Sequence, residues 1–200
     1  MALITLNPNR KRYGYFKFKY KLYNIFHGKQ GVGRKILKRG FEEIDAMQSY
    51  YSKVCIIFLE FHLKQFSSDN LVMSDFIKVL KSKLAQKYKS KIGYLWVRER
   101  HKAPAQHYHL AIMINGHKCN NGWSTQQIAN DIWRTQKTGN TTYFVKRATY
   151  NLLRNNEVEA NAARVRLSYF AKNRTKERNL PCRNFSASGT KLNPKGKFSW

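Results

Sequence analysis

The stretch QHYHLAIMI, residues 106–114, constrains this chain more than any other. It reads as a strand, and in a strand successive side chains alternate faces. His107 and His109 therefore share one face, while Tyr108, Leu110, Ile112 and Ile114 share the other, which reads as the core face. Such a strand needs partners. KIGYLWVRER, residues 91–100, precedes it across the loop HKAPAQ, in which Pro104 cannot continue a ladder, so the two predict an antiparallel hairpin. VCIIFLEFHL, residues 54–63, is rich in β-branched and aromatic residues and predicts a central strand.

Helical spacing separates these runs. Ile36, Leu37, Phe41, Ile44, Met47 and Tyr51 predict a first helix over about 34–52. Ser74 is placed to cap a second, with a stripe of Phe76, Ile77, Leu80, Leu84 and Tyr88. After the turn at Asn115-Gly116, Ser124 and Gln127 form a capping box before a helix carrying Ile128, Ile132 and Trp133. Residues 158–173 predict a last helix, and residues 143–153 fit strand or helix. Two hundred residues suit one domain with a full core. The organisation expected is a basic aromatic segment over 1–45 packing on a domain over 46–180, with a basic tail over 181–200.

Lysine and arginine total 38 against 11 acidic residues, a formal charge of +27. That charge calls for a polyanionic partner, nucleic acid, without distinguishing an enzyme from a ribosomal or architectural protein. The 42% apolar content excludes a disordered tail protein. RKRYGYFKFKYKLY, from Arg10, interleaves aromatic and basic residues, as a base-stacking surface or as an edge strand with one apolar face. GKQGVGRK, from Gly28, lacks the lysine and Ser/Thr order of a phosphate loop and reads as a flexible basic turn. Cys55, Cys119 and Cys182 form no CxxC pair, which suits a reducing cytoplasm. Neither a membrane span nor a signal peptide is expected.

The histidine pair can bind one cation. A third ligand is available in Glu99, eight residues before His107 near the end of the paired strand, with Glu60 on the neighbouring strand as a rival. Two imidazoles and a carboxylate leave open positions for phosphate oxygens and water. On the last helix Tyr169 shares a face with Ala162, Val165 and Lys172, away from the stripe of Ala163, Leu167 and Phe170, so it is free to act as a nucleophile with Lys172 steadying charge. Tyr143-Phe-Val-Lys146 offers a competing tyrosine.

His107-Tyr108-His109, an acid on the strand before it, and Tyr169-Phe-Ala-Lys172 on a later helix resemble the motifs of the HUH-superfamily endonucleases, the single-tyrosine rolling-circle replication initiators. YLWVRER, HYHLAIMINGHK and SYFAKNRTKE are most similar to the inovirus-type Gp2 replication proteins, also described as the YagK/YfjJ family, over roughly residues 45–190.

The resemblance implies an α+β fold, a central antiparallel sheet of about five strands flanked by helices in an RRM/ferredoxin-like arrangement. It also implies a divalent metal, Mg²⁺ or Mn²⁺, on His107, His109 and Glu99, a nucleophile in Tyr169, and Lys172 as its assistant. The activity implied is nicking of an origin in single-stranded DNA through a 5′-phosphotyrosine. The partners implied are single-stranded DNA, an origin hairpin or duplex, and a host helicase and polymerase, for a monomer or weak oligomer in a bacterial cytoplasm. Arg10, Lys11, Arg12, Lys17, Lys19, Arg98, Arg100 and Arg174 are the candidate DNA contacts. A relaxase or transposase shares the chemistry, although no fused helicase or transfer domain is seen, and a non-catalytic basic binder is the rival from another class.

Overall fold

A computed structural model describes residues 4–6, 12–100, 103–136, 139–176 and 181–196. Its elements run β1 (Ile4–Leu6), β2 (Tyr13–Phe18), β3 (Lys21–Phe26), α1 (Arg34–Tyr50), β4 (Lys53–His62), α2 (Leu71–Tyr88), β5 (Gly93–Glu99), β6 (His107–Asn115), α3 (Trp123–Gln136), β7 (Thr141–Tyr143), β8 (Thr149–Leu153), α4 (Glu157–Ser168), a 3₁₀ turn (Tyr169–Ala171) and β9 (Phe185–Ala187). The fold is α+β. One antiparallel sheet has the order β7-β4-β6-β5-β9, with β8 also pairing β4, and helices cover both faces. The predicted hairpin is β5–β6, and β4 is its central neighbour. The ambiguous 143–153 stretch ends one strand, β7, and contains another, β8, both along the same edge of β4.

Strand alternation sorts the core into two clusters. Ile57, Leu59, Phe61, Tyr108, Leu110 and Ile112 pack against Phe76, Leu80 and Leu84 of α2 and Trp133 of α3. Ile56, Phe58, Leu95, Val97, Ala111 and Met113 pack against Phe41, Ile44 and Met47 of α1 and Ala163 and Leu167 of α4. The histidine-bearing face of β6 is thus a core face too, where the alternation points to the Tyr108 face alone as core. Its first two positions are polar, and Ala111 and Met113 after them are apolar. Small residues make this possible: a Cβ on Gly40 of α1 would sit 2.3 Å from Leu167 Cδ2 and 3.1 Å from Leu95 Cδ2, so the helix lies close against both.

Strands β1–β3 form a separate antiparallel sheet. Phe16, Phe18 and Ile25 join the α1/α4 core cluster, while Tyr20 leaves the stripe and is exposed. Helix α1 runs through residue 45 without interruption, and β9 of the tail pairs with β5. Two helix starts differ from expectation. α2 begins at Leu71, whose amide donates to Asp69 Oδ1 (3.0 Å), and α3 begins at Trp123, whose amide donates to Asn121 Oδ1 (3.3 Å). A short side-chain oxygen upstream takes the first free amide in each case, so Ser74 and Ser124 lie inside the first turns. No helix among the described residues is long and apolar enough to cross a membrane.

Candidate functional site

Register brings five polar side chains to one end of the sheet, on the face under α4. Glu60 of β4 stands opposite His109 of β6, His62 opposite His107, and Glu99 of β5 opposite His107 from the other side. Glu60, His107 and His109 offer ligand atoms that all lie within 4.8 Å of one another. Glu60 Oε2 is 3.3 Å from His109 Nδ1, and Glu60 Oε1 is 2.8 Å from His62 Nε2. The His62 ring stacks on His107 at 5.1 Å between centroids.

Glu99, the expected third ligand, also faces two lysines. It is 1% exposed, and its two oxygens lie 2.5 Å from Lys176 Nζ and 3.0 Å from Lys172 Nζ. Glu60, the rival third ligand, forms with His107 and His109 a group that could hold a metal ion, while Glu99 Oε2 also lies 3.7 Å from His107 Nε2. Glu99 Oε2 also lies 3.4 Å from His109 Nε2, a buried nitrogen with no hydrogen-bond partner among the described residues. A buried ring nitrogen without a partner, beside a second imidazole and a carboxylate, fits a divalent cation.

Electrostatics follow from this packing. Burial alone would raise the Glu99 carboxyl, but His107, His109 and Lys176 outweigh it and hold it well below the usual carboxylate range. Glu60 is lowered in the same way, burial being overcome by His109 and His62. Burial would lower His109, yet the two carboxylates beside it raise it. Lys176 is lowered, chiefly by burial, against the pull of Glu99.

Tyr169 reaches this cluster from above. α4 starts cleanly, with Asn156 Oδ1 accepting from Val158 N (3.1 Å) and acids in the first turn. It ends at Ser168, so Tyr169 lies on the 3₁₀ turn rather than in the α-helix. The cause is the GKQGVGRK loop, which is not a loose turn. Gly33 N donates to Ala171 O (2.7 Å), Asn173 N donates to Gly31 O (3.0 Å), and Val32 pairs with Lys172. Phe26 adds a backbone bond to Ser168 Oγ (2.7 Å) and an aromatic contact to Tyr169 at 5.1 Å. The N-terminal sheet and its following loop thereby position the tyrosine.

Tyr169 is 38% exposed, its ring centroid lies 6.5 Å from that of His109, and Lys172 Nζ sits 3.8 Å from its own ring centroid. Tyr169, Lys172, Glu60, His107 and His109 line one cavity of about 360 Å³, together with Arg166. Tyr143, opposite Glu60 on β7, is 63% exposed and approaches His62 at 6.3 Å between rings.

The candidate DNA contacts divide. Arg12, Lys17 and Arg174 are exposed. Lys19 is paired with Asp45 (2.6 Å), and Arg100 stacks on Phe66 at 4.0 Å. Arg98 does not belong with them. Alternation on β5 turns it to the α2 face, where it is 1% exposed and donates to Ser67 O and Asp69 O, both at 2.6 Å. Arg10 and Lys11 lie outside the described residues. Sequence reasoning missed His62 and Lys176. The period-2 spacing of Glu60 and His62 held a signal for the first, while only the fold brings Lys176 to Glu99.

Residues 17–188 match the family model of the YagK/YfjJ C-terminal domain. No curated protein and no solved structure matches the chain. With most of its length covered by that match, the chain belongs to the YagK/YfjJ C-terminal domain family.

Proposed function

We propose that the protein is a metal-dependent endonuclease and strand transferase acting on single-stranded DNA. It would nick an origin through a 5′-phosphotyrosine on Tyr169 and so start rolling-circle replication of a phage or mobile element. The observation that carries this reading is the cavity shared by Tyr169 with Glu60, His107 and His109. Those three residues would hold Mg²⁺ or Mn²⁺, which when bound supplies Lewis-acid polarisation of a phosphate oxygen.

The rest of the chemistry belongs to the chain. The Tyr169 phenolic oxygen attacks phosphorus and gives up its proton. The P–O bond to the 3′ oxygen breaks, and that oxygen takes a proton and leaves as a free hydroxyl. Lys172 and Lys176 face the single carboxylate of Glu99, so a net positive charge remains beside the tyrosine to balance phenolate and phosphate. The phosphotyrosine keeps the energy of the broken phosphodiester, so a later 3′-hydroxyl can displace the tyrosine without ATP. A relaxase or transposase would use the same steps on different DNA.

The test is a denaturing gel of protein incubated with Mn²⁺ and labelled single-stranded DNA of mixed sequence. A covalent protein–DNA band is expected. Tyr169→Phe should abolish it while leaving DNA binding nearly unchanged, and His109→Ala should abolish it even in excess metal. An adduct that persists in Tyr169→Phe would move the role to Tyr143. Tight binding in EDTA with no adduct under any condition would leave a non-catalytic DNA-binding protein.

A further inference from the structure

A larger cavity, of about 440 Å³, lies between the β2–β3 hairpin, α1 and α4, and it shares no lining residue with the tyrosine cavity. The volume is in the range of small-ligand sites. Its walls are of two kinds. Phe18, Tyr20 and Tyr23 give it aromatic surface; Lys19, Lys21, Arg154 and Arg164 outnumber Asp45 and Glu157, so its charge is net positive, with Lys21 paired to Glu157 at its exposed rim. Gln48 and Asn161 add amides that can donate and accept.

The hairpin carries an unusual residue at its tight turn. Phe18 pairs with Lys21, so Lys19 and Tyr20 form a two-residue turn. Lys19 has φ 53°, a left-handed conformation normally left to glycine or asparagine. The lysine side chain turns back to Asp45 at 2.6 Å, and Tyr20 is left 91% exposed beside the cavity.

The floor is also incomplete. Asp45 accepts from Arg164 at 2.8 Å, and the guanidinium lies over Tyr23 at 4.8 Å and Phe41 at 5.6 Å. Arg164 is 6% exposed, yet its Nε is buried with no acceptor among the described residues. A rigid donor without an acceptor, in an aromatic and cationic cavity, suits a ligand with a flat π-face, carbonyl oxygens and negative charge nearby.

We infer that this cavity receives one unstacked base of a single-stranded DNA, with Tyr20 closing over the base and Lys21 and Arg154 meeting the flanking phosphates. The inference rests on the DNA reading proposed above but not on its chemistry. α4 links the two sites: Glu157 lines this cavity and Tyr169 follows twelve residues later, a span of roughly 18 Å at about 1.5 Å per residue. A strand held here would be anchored a few nucleotides from the phosphate facing Tyr169.

The experiment is fluorescence anisotropy in EDTA, using a fluorescein-labelled oligodeoxythymidine and an abasic sugar–phosphate chain of the same length. Tyr20→Ala should weaken binding to oligodeoxythymidine by about 5- to 100-fold, the usual effect of losing one stacked base. Binding to the abasic chain should stay within about twofold, and Tyr20→Phe should bind both as the unaltered protein does. Because Tyr20 is almost fully exposed, neither substitution disturbs the core. Equal weakening on both chains, no weakening on oligodeoxythymidine, or a Tyr20→Phe protein as weak as Tyr20→Ala would each overturn the inference. A protein that forms the Tyr169 adduct but shows no Tyr20 dependence would lose only the base pocket. One with Tyr20-dependent binding and no adduct would lose only the nicking activity.

Discussion

Glu60 and Glu99 are both carboxylates on one face of one sheet, and their surroundings differ: Glu60 has His62 and His109 beside it, whereas Glu99 faces two lysines as well as His107 and His109. If Glu60 ligates and Glu99 neutralises, the two should respond differently to substitution. Glu60→Gln should therefore lower Mn²⁺ affinity at least about tenfold with a small cost in stability. Glu99→Gln leaves two largely buried ammonium groups without their anion and should destabilise the fold by about 2–4 kcal/mol. Titration calorimetry and urea denaturation of the two variants separate these roles; loss of metal binding in Glu99→Gln alone would reverse the assignment. The pH response follows from His109. Its raised pKa means that the ring stays protonated, and unable to ligate, to a higher pH than a free imidazole. Metal affinity should rise as pH goes up through and above the ordinary imidazole value of about 6.5, with proton release on binding. A flat profile in calorimetry would remove His109 from the ligand set.

At the scale of elements, the site depends on α1 and α4 lying close together. Gly→Ala inside a helix ordinarily stabilises by about 1 kcal/mol, but at Gly40 the new methyl would meet Leu167 and Leu95, both fully buried. Overpacking of that kind costs about 1–3 kcal/mol and outweighs the propensity gain. Gly40→Ala should lower the urea midpoint by an amount equivalent to about 1–2 kcal/mol, and because Leu167 precedes Tyr169 by two residues, it should also slow adduct formation. An increase in the midpoint would show the α1–α4 contact to be slack. The helix stripes and the β5–β6 hairpin were legible in the sequence because burial enforces periods of 3.6 and 2. The pairing of residues 31–33 with the Tyr169 turn was not, since isolated bridges and loop amides leave no periodic trace.

For the whole molecule the formal charge of +27 is the dominant long-range fact. Single-strand affinity should fall steeply with salt, log K against log concentration having a slope of about −0.7 for each phosphate neutralised. Arg174→Ala, at an exposed position, should make that slope shallower by about 0.7. Arg98→Ala should leave the slope alone and instead destabilise the fold, because the Ser67 and Asp69 carbonyls each lose a charged donor, Ser67 O keeping Gln106 Nε2. Binding titrations over a salt series, beside denaturation curves, test both; a shallower slope for Arg98→Ala would show that the buried guanidinium reaches DNA.

The sequence by itself determined the three central strands, most of the helices and the shared face of the two histidines, because local alternation and helical spacing encode burial directly; the α+β class came from the family resemblance. It also marked both acids, and the tyrosine outside the core stripe that α4 carries. Only the tertiary structure showed that Glu60 gathers with the two histidines while Glu99 also meets two lysines, that Arg98 is interior, and that the N-terminal sheet and its glycine loop hold Tyr169 over the cluster. Those outcomes depend on strand order and on which long side chain reaches which partner, and residues as distant as Glu99 and Lys176 meet only once the sheet and its helices have closed.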